Sequence, residues 1–444
     1  MEFRLKFREK FAFGIGDFGG NFCFSFLSSF AMIYFTDIVG ANVAAVATLL
    51  MAAKCLDGIT DLIMGNLIDR THSKMGKARP WLFWSAFPLA LSEIALFNVP
   101  KALTEAQKNI YIFIFYLLVC AFFYTASNIS YNSLTSLITN NTKDRVSMGS
   151  IRFMCTAVAG IIIGSFTTIL IQVFGDGQKG WTMVTLLYMV VFLICTMITV
   201  FGVKELKDTN TGAEDKKKDV PFFKSVVLLL KNKYFILTFL VFLFLYIFTG
   251  SMGASGLYYA TYNLGNVNLY GLLSIAMMVP MFIALIIAPK ITAKFGMQKT
   301  CIYATFLFIA GSLVVALSGD AMPLLLVGIV IRSLGMAPMS AAIFAFIAEA
   351  AEYSKIKDKA EIEGMVYSCS SIGIKVGSGL GIAMVGWLMS AGYYDGSLAV
   401  QGEAALRMIG VSYKILPVLV GVLVLLVFLA LNVEKANKQL KEQV

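Results

Sequence analysis

Histidine, charge and paired cysteines are scarce in this sequence. Its 444 residues include one histidine, His72, in a polar stretch between apolar runs, and seven cysteines. The cysteines (Cys23, Cys55, Cys120, Cys155, Cys195, Cys301, Cys369) lie within or beside apolar runs, and none forms a C-x-x-C pair, so neither a zinc site nor a disulfide framework is implied. There is no phosphate-binding lysine loop, no nucleophile elbow and no histidine-rich cluster, which argues against an ATP-driven pump and an intramembrane enzyme. Asp, Glu, Lys and Arg make up only 14% of residues, against roughly 25% in an average soluble domain. Apolar residues make up 58% and the mean hydropathy is +0.79. A soluble enzyme, a disordered chain and a small secreted domain are excluded, because the polar surface they need is missing.

What is present in quantity is apolar sequence. Runs fall at about 11–36, 42–68, 81–99, 109–138, 149–174, 181–203, 234–262, 269–291, 300–318, 322–351, 363–391 and 410–432, each long enough to cross the hydrocarbon core as a helix. A helix satisfies its own backbone in lipid, whereas a β-barrel would show shorter, alternating segments. The expectation is an all-α membrane protein with twelve transmembrane helices.

The net charge of +10 is concentrated in alternate connections. One set carries Arg70, Lys74, Lys77 and Arg79, then Lys143 and Arg145, Lys204 to Lys218, Lys290 to Lys299, and Lys355 to Lys359. The other carries only Lys101, Lys108, Lys179 and Arg407. Excess positive charge marks cytoplasmic loops, so both termini are expected in the cytoplasm of a plasma (inner) membrane protein. Nucleic acid is not an expected partner. The basic start (Arg4, Lys6, Arg8, Lys10) leads into a first span without a cleavage-site pattern, so no signal peptide is expected.

The segment 204–233 is charged and aperiodic and is expected to be a cytoplasmic linker. It separates an N-terminal six-helix half, 1–203, from a C-terminal half, 234–432, followed by a tail, 433–444. Lys74-Met75-Gly76 and Lys294-Phe295-Gly296, 220 positions apart, precede the third and ninth spans, as expected for two homologous halves.

Ionisable residues inside apolar runs carry the functional reading, since each costs about 2.5–3.5 kcal/mol at a helix centre. Asp57 and Asp61 lie four apart on one helix face with Lys54 one turn before and Thr60 adjacent. Two carboxylates this close call for a cation or a proton; the alternative is a Lys54–Asp57 salt bridge. Asp17 sits in Gly14-Ile15-Gly16-Asp17-Phe18-Gly19, which matches G-x-G-x-x-G without the strand that a dinucleotide site needs. Its glycines point to helix packing, and Asp17 to a substrate acceptor or an ion-pair partner. Arg152, Arg332 and Lys375 are the intramembrane cations; Arg152 can reach the cytoplasmic surface or a cavity, and Glu349 is a candidate partner for Arg332. The polar run from Thr125 to Asn132 suits hydroxyl recognition or interhelical hydrogen bonding. No catalytic residue is expected.

These residues resemble the glycoside–pentoside–hexuronide:cation symporters, the melibiose-permease-like branch of the major facilitator superfamily. The likeness runs through Gly16-Asp17-Phe18-Gly19, Tyr34 to Gly40, Asp57 to Gly65, Asp69-Arg70-Thr71, Gly76 to Trp81, Glu352-Tyr353, Glu363-Gly364, Tyr367-Ser368 and Lys375-Val376-Gly377. It implies the major facilitator fold and cation-coupled sugar symport by alternating access, with Na+ or H+ as coupling ion and no other cofactor. Asp57, Asp61, Thr60 and Thr125 would form the cation site, with Asp57 and Asp61 ligating Na+ if sodium is used. Asp17, Asn128, Asn132, Arg152 and Lys375 would bind substrate, and Asp69, Arg70, Lys77 and Arg79 would form a cytoplasmic gate. The pattern departs at Thr60 (Asn in melibiose-type members), Asn128 (Asp), Asn132 and Ser340 (Trp), and Glu361 (often basic). Fewer acids near Arg152 and Lys375 would suit an anionic hexuronide. The expected partners are a sugar or glycoside, a monovalent cation and the bilayer, with a monomer as the working form. A lipid or lysophospholipid facilitator of the same fold, or a transport-inactive sensor, are the alternatives.

Overall fold

The computed structural model describes residues 5–139, 141–206, 230–319, 321–358 and 363–443, and it is helical throughout, with no strand among them. The helices are α1 (Phe7–Ile33), α2 (Val43–Asp69), α3 (Arg79–Leu96), α4 (Glu105–Leu117), α5 (Thr125–Leu137), α6 (Thr142–Val173), α7 (Gly177–Gly202), α8 (Lys233–Tyr258), α9 (Leu269–Phe295), α10 (Met297–Leu317), α11 (Met322–Asp358), α12 (Glu363–Ala391), α13 (Glu403–Gly410), α14 (Leu416–Ala430) and α15 (Val433–Gln443). Single π-helical turns extend α1 (Tyr34–Ile38) and α8 (Tyr259–Asn263). Others join α4 to α5 (Leu118–Tyr124) and α13 to α14 (Val411–Ile415). All twelve apolar runs are therefore helical.

Eleven helical segments among the described residues are long and apolar enough to cross a membrane. The third expected span, α3, falls outside that set; its 18 residues include Arg79, Ser85, Ser92 and Glu93. Most of the core of the linker, and Glu361, lie outside the described residues.

Contacts divide the chain into two units. The first comprises Met1–Thr211, Gly256–Ser274 and Val385–Leu406; the second comprises Gly212–Ser255, Ile275–Met384 and Arg407–Val444. This division differs from the six-plus-six reading in placing the junctions α8–α9 and α12–α13 in the first unit.

In the first unit α1 packs along α6 and α7, and α3 along α5 and α7. The glycines of the G-x-G-x-x-G match explain the close approach. A Cβ on Gly14 would stand 2.6 Å from the Ile151 side chain, and one on Gly19 2.5 Å from Cys195 Cβ. These residues pack helices, as expected. In the second unit Gly377 and Gly381 of α12 lie against the backbone of α8 at Leu243 and Ile247, and α10 packs along α11.

The two halves of the sequence repeat their local structure. At the end of α1, Val39 N–H donates to Tyr34 O (3.1 Å) and Ala41 N–H to Phe35 O (2.9 Å). At the end of α8, Leu264 N–H donates to Tyr259 O (3.0 Å) and Asn266 N–H to Ala260 O (3.1 Å). Every residue in the second set is 225 positions after its counterpart, and Gly40 and Gly265 share the same left-handed turn (φ 71° and 68°). The K-x-G triplets behave in the same way. Gly76 (φ 112°) precedes α3, whose first N–H groups at Lys77, Ala78 and Arg79 donate to the Glu205 carboxylate at 2.7, 3.1 and 2.9 Å. Gly296 (φ 80°) precedes α10, whose N–H groups at Met297 and Gln298 donate to the Glu434 carboxylate at 3.4 and 3.2 Å. Both carboxylates satisfy orphan donors and complement the positive end of a helix.

Glu205→Ala should therefore destabilise the protein by about 1–3 kcal/mol, because three donors lose their acceptor. Thermal unfolding of the detergent-purified variant should show a lower Tm, with a smaller shift for Glu434→Ala.

Candidate cation and substrate site

Asp17 lies in the middle of α1, half-buried, on the face toward α6. Arg152 of α6 reaches it, with Nη2 at 3.2 Å from Oδ1, and the Thr156 hydroxyl, one turn further along α6, donates to its other oxygen. The guanidinium also donates from Nη1 to Asn132 Oδ1 of α5 (2.8 Å) and lies over the Tyr131 ring, 5.0 Å from its centroid. Asn132 in turn donates to Asn128 Oδ1 one turn earlier (3.0 Å). Three helices thus meet in one polar network, Asp17–Arg152–Asn132–Asn128. Asp17 and Asn128 line a recess with Gly16, Gly20, Tyr124, Ser127, Tyr131 and Thr196. Asp17 is ion-paired, and it borders a recess. The arrangement supplies a carboxylate acceptor, a planar cationic donor, amides and aromatic faces, the set that polyhydroxylated ligands require.

The second cluster is built on α2. Asp57 is 4% exposed, and the Thr125 hydroxyl at the start of α5 donates to its Oδ1 at 2.6 Å. Lys54 is equally buried, its ammonium 4.7 Å above the Phe24 ring of α1. Asp61 follows one turn later, half-buried. The Thr60 hydroxyl donates to the Asp57 carbonyl (3.0 Å), so in this geometry it serves its own helix. Among the described residues no group of three or more His, Cys, Asp or Glu side chains is placed to hold a metal ion.

The basic loop is tied down inside the first unit. Arg79 Nε donates to Val200 O (2.7 Å) and its Nη1 to Met75 O (3.2 Å), while Trp81 Nε1 donates to Thr71 Oγ1 (2.7 Å). The Lys77 backbone is held by Glu205, Arg70 is exposed at the end of α2, and the Asp69 side chain lies outside the described residues. Lys375 belongs to the second unit, where it is half-buried on α12. Arg332, in the same unit, is 1% exposed between the rings of Phe248 (5.4 Å) and Tyr413 (5.6 Å). Glu349 is not its partner: it lies 17 residues along the same helix, about 25 Å away at 1.5 Å per residue, and its carboxylate accepts from Asn437 (2.7 Å).

Three polar features escaped the sequence reading. Thr156 sits in an apolar run, where a threonine that only bonds its own helix looks the same in sequence. Glu93 is an acid in a short span and was detectable by charge alone. The third is Asp37, whose Oδ2 accepts from the Tyr262 hydroxyl (2.7 Å) and whose Oδ1 accepts from Tyr394 (2.5 Å) and Thr36 (2.6 Å). Thr36 also meets the Tyr258 hydroxyl at 2.7 Å. This cluster sits on the π-helical turn that ends α1, and its partners come from segments that sequence spacing cannot associate.

A profile of the family described as MFS/sugar transport protein matches residues 12–435. The chain belongs to that family. It is 28% identical over 416 residues to the isoprimeverose transporter of Lactiplantibacillus pentosus, covering 92% of this chain and 85% of the relative. It is 25% identical to the glucuronide carrier protein homolog of Escherichia coli strain K12, covering 100% of this chain and 95% of that one. Among solved structures, a point mutant of the nucleoside transporter NupG superposes with a TM-score of 0.72 at 12% identity, covering 96% of this chain and 100% of that one. The D-xylose-proton symporter gives 0.65 at 13%, covering 94% and 96%. The fold is that of the major facilitators, in a multi-pass membrane protein.

Asp17→Asn should weaken the contact to Arg152 and reduce ligand affinity at least tenfold by equilibrium binding, with little change in Tm. Thr125→Val should leave the Asp57 carboxylate short of a donor, costing about 1–3 kcal/mol, seen as a lower Tm.

Proposed function

We propose that this protein is a secondary active transporter that couples downhill entry of a monovalent cation, Na+ or H+, to symport of a glycoside, oligosaccharide or hexuronide by alternating access in a cell membrane. The observation that carries the reading is the Asp57 carboxylate, buried in a membrane span, hydrogen-bonded to Thr125, in the same unit as the Asp17–Arg152 recess. A buried acid of this kind persists where an ion or proton balances it. The names of the relatives support a sugar-type cargo: isoprimeverose for one and a glucuronide for another. Arg152, a cationic fork paired with the recess-lining Asp17, suits a hexuronide carboxylate as well as neutral hydroxyls.

Cation and cargo affinities are then linked. Whatever factor the cation adds to sugar affinity, sugar adds to cation affinity. The loop held by Glu205 would act as the gate on the cytoplasmic side, and both termini would lie on that side, following the distribution of Lys and Arg.

Proteoliposome uptake of radiolabelled isoprimeverose, a methyl glucuronide and melibiose, each under an inward Na+ or H+ gradient, tests the reading. Accumulation of at least one sugar should require one of the two gradients. Asp57→Cys should abolish gradient-driven accumulation while retaining sugar exchange. Full concentrative uptake by that variant would remove Asp57 from the cation site, and no uptake of any sugar by the wild type would count against the function.

A further inference from the structure

Glu93 stands apart from both clusters. It is the fifteenth residue of α3, and its exposure is 0%. Neither of its carboxyl oxygens has a hydrogen-bond partner among the described residues. No described lysine or arginine forms an ion pair with it, although Arg152 compensates Asp17.

The groups that face it are weakly polar. The Cys23 thiol of α1 lies against the carboxyl, with Cys120 of the π-helical turn and Tyr116 of α4 within electrostatic reach. All three are themselves buried. Lys54 and Asp57 both act on Cys120, Lys54 also on Cys23 and Asp57 also on Tyr116. The other helices packed against α3 offer no counter-charge. The charged residues of α4, Glu105 and Lys108, stand at its far start, where Lys108 donates to Val39 O (2.8 Å). Helix α5 contains no charged residue, and the only one in α7 is Lys179 in its first turn. A bare carboxylate in this setting would have no solvent and no counter-ion, with the weakly donating Cys23 thiol beside it, and the electrostatic cost would fall on the folded state. The neutral acid avoids that cost.

We propose that Glu93 is a proton-binding site, distinct from the Asp57/Asp61 pair, that takes up and releases a proton during the transport cycle. The inference rests on the transporter reading. Release leaves a carboxylate on α3 and sends the proton to water. The carboxylate becomes tolerable when positive charge enters its surroundings or water reaches it, and uptake restores the neutral acid.

The test uses the full-length protein. Infrared spectra of the purified wild type at neutral pH should contain the carbonyl stretch of a neutral carboxylic acid that Glu93→Gln lacks. The glutamine variant mimics the neutral acid in shape, so its Tm should be unchanged. In proteoliposomes with the sugars named above, Glu93→Gln should retain exchange but lose pH-gradient-driven accumulation at least tenfold, and Glu93→Asp should restore part of it. A carbonyl band identical in wild type and Glu93→Gln, or undiminished pH-driven accumulation by that variant, would overturn the proposal. The infrared result does not involve sugar, so a wild type that transports none of the sugars would refute the functional reading while this measurement still decides the state of Glu93.

Discussion

Charge placed in hydrocarbon has to be compensated within the protein, because lipid supplies neither water nor counter-ions. The polar architecture of this chain follows from that constraint. Asp17 and Arg152 neutralise each other across two helices and spread the remaining hydrogen-bonding capacity over Asn132, Asn128 and Thr156. Asp57 draws on a hydroxyl from a neighbouring helix. Arg332 rests between two aromatic faces, where the ring quadrupoles attract the guanidinium. Each solution ties together helices distant in sequence, so the residues of the proposed site also assemble the bundle.

The first of these solutions bears most on the proposed ligand recognition. An ion pair beside a recess is stable while empty, yet its partners also satisfy hydroxyl groups. A ligand that replaces part of the Arg152 hydrogen bonding exchanges one set of polar contacts for another and avoids leaving a bare charge. Tyr131 contributes in two ways: its ring lies under the guanidinium, and its hydroxyl donates to Phe13 O (2.8 Å). The ring that supports Arg152 is thereby fixed to α1, the helix that carries Asp17. Rigid placement of this kind lowers the ordering cost of binding.

The fold was largely legible in the sequence, because length and continuity of apolar runs report helices directly. The helices outrun those runs at their ends, as at α11, which extends to Asp358 through residues that suit the interface. The repeat was visible as two K-x-G triplets, but the glutamates that complete it stand after the sixth and twelfth spans, and only tertiary structure joins them to the triplets. Asp17, Asp57 and Arg152 were legible as charges out of place. The backbone bond of Thr60 was not: beside two acids its hydroxyl reads as a ligand, and the structure shows it donating to the Asp57 carbonyl. The Asp37 cluster was invisible because tyrosines in apolar runs are ordinary, and only the positions of their hydroxyls make them partners.

Asp37 and Tyr262 occupy corresponding places in the two repeats, separated by the same 225 positions as the π-helical turns that carry them, and they hydrogen-bond to each other. In an assembly of two identical chains, corresponding places that touch must hold the same residue. Two aspartates there would repel, and two tyrosines would lack a carboxylate acceptor. Joining the copies into one polypeptide removes that restriction, so an acid can be written in one copy and a phenol in the other. The contact is a complementary pair that no symmetric dimer of either half could encode.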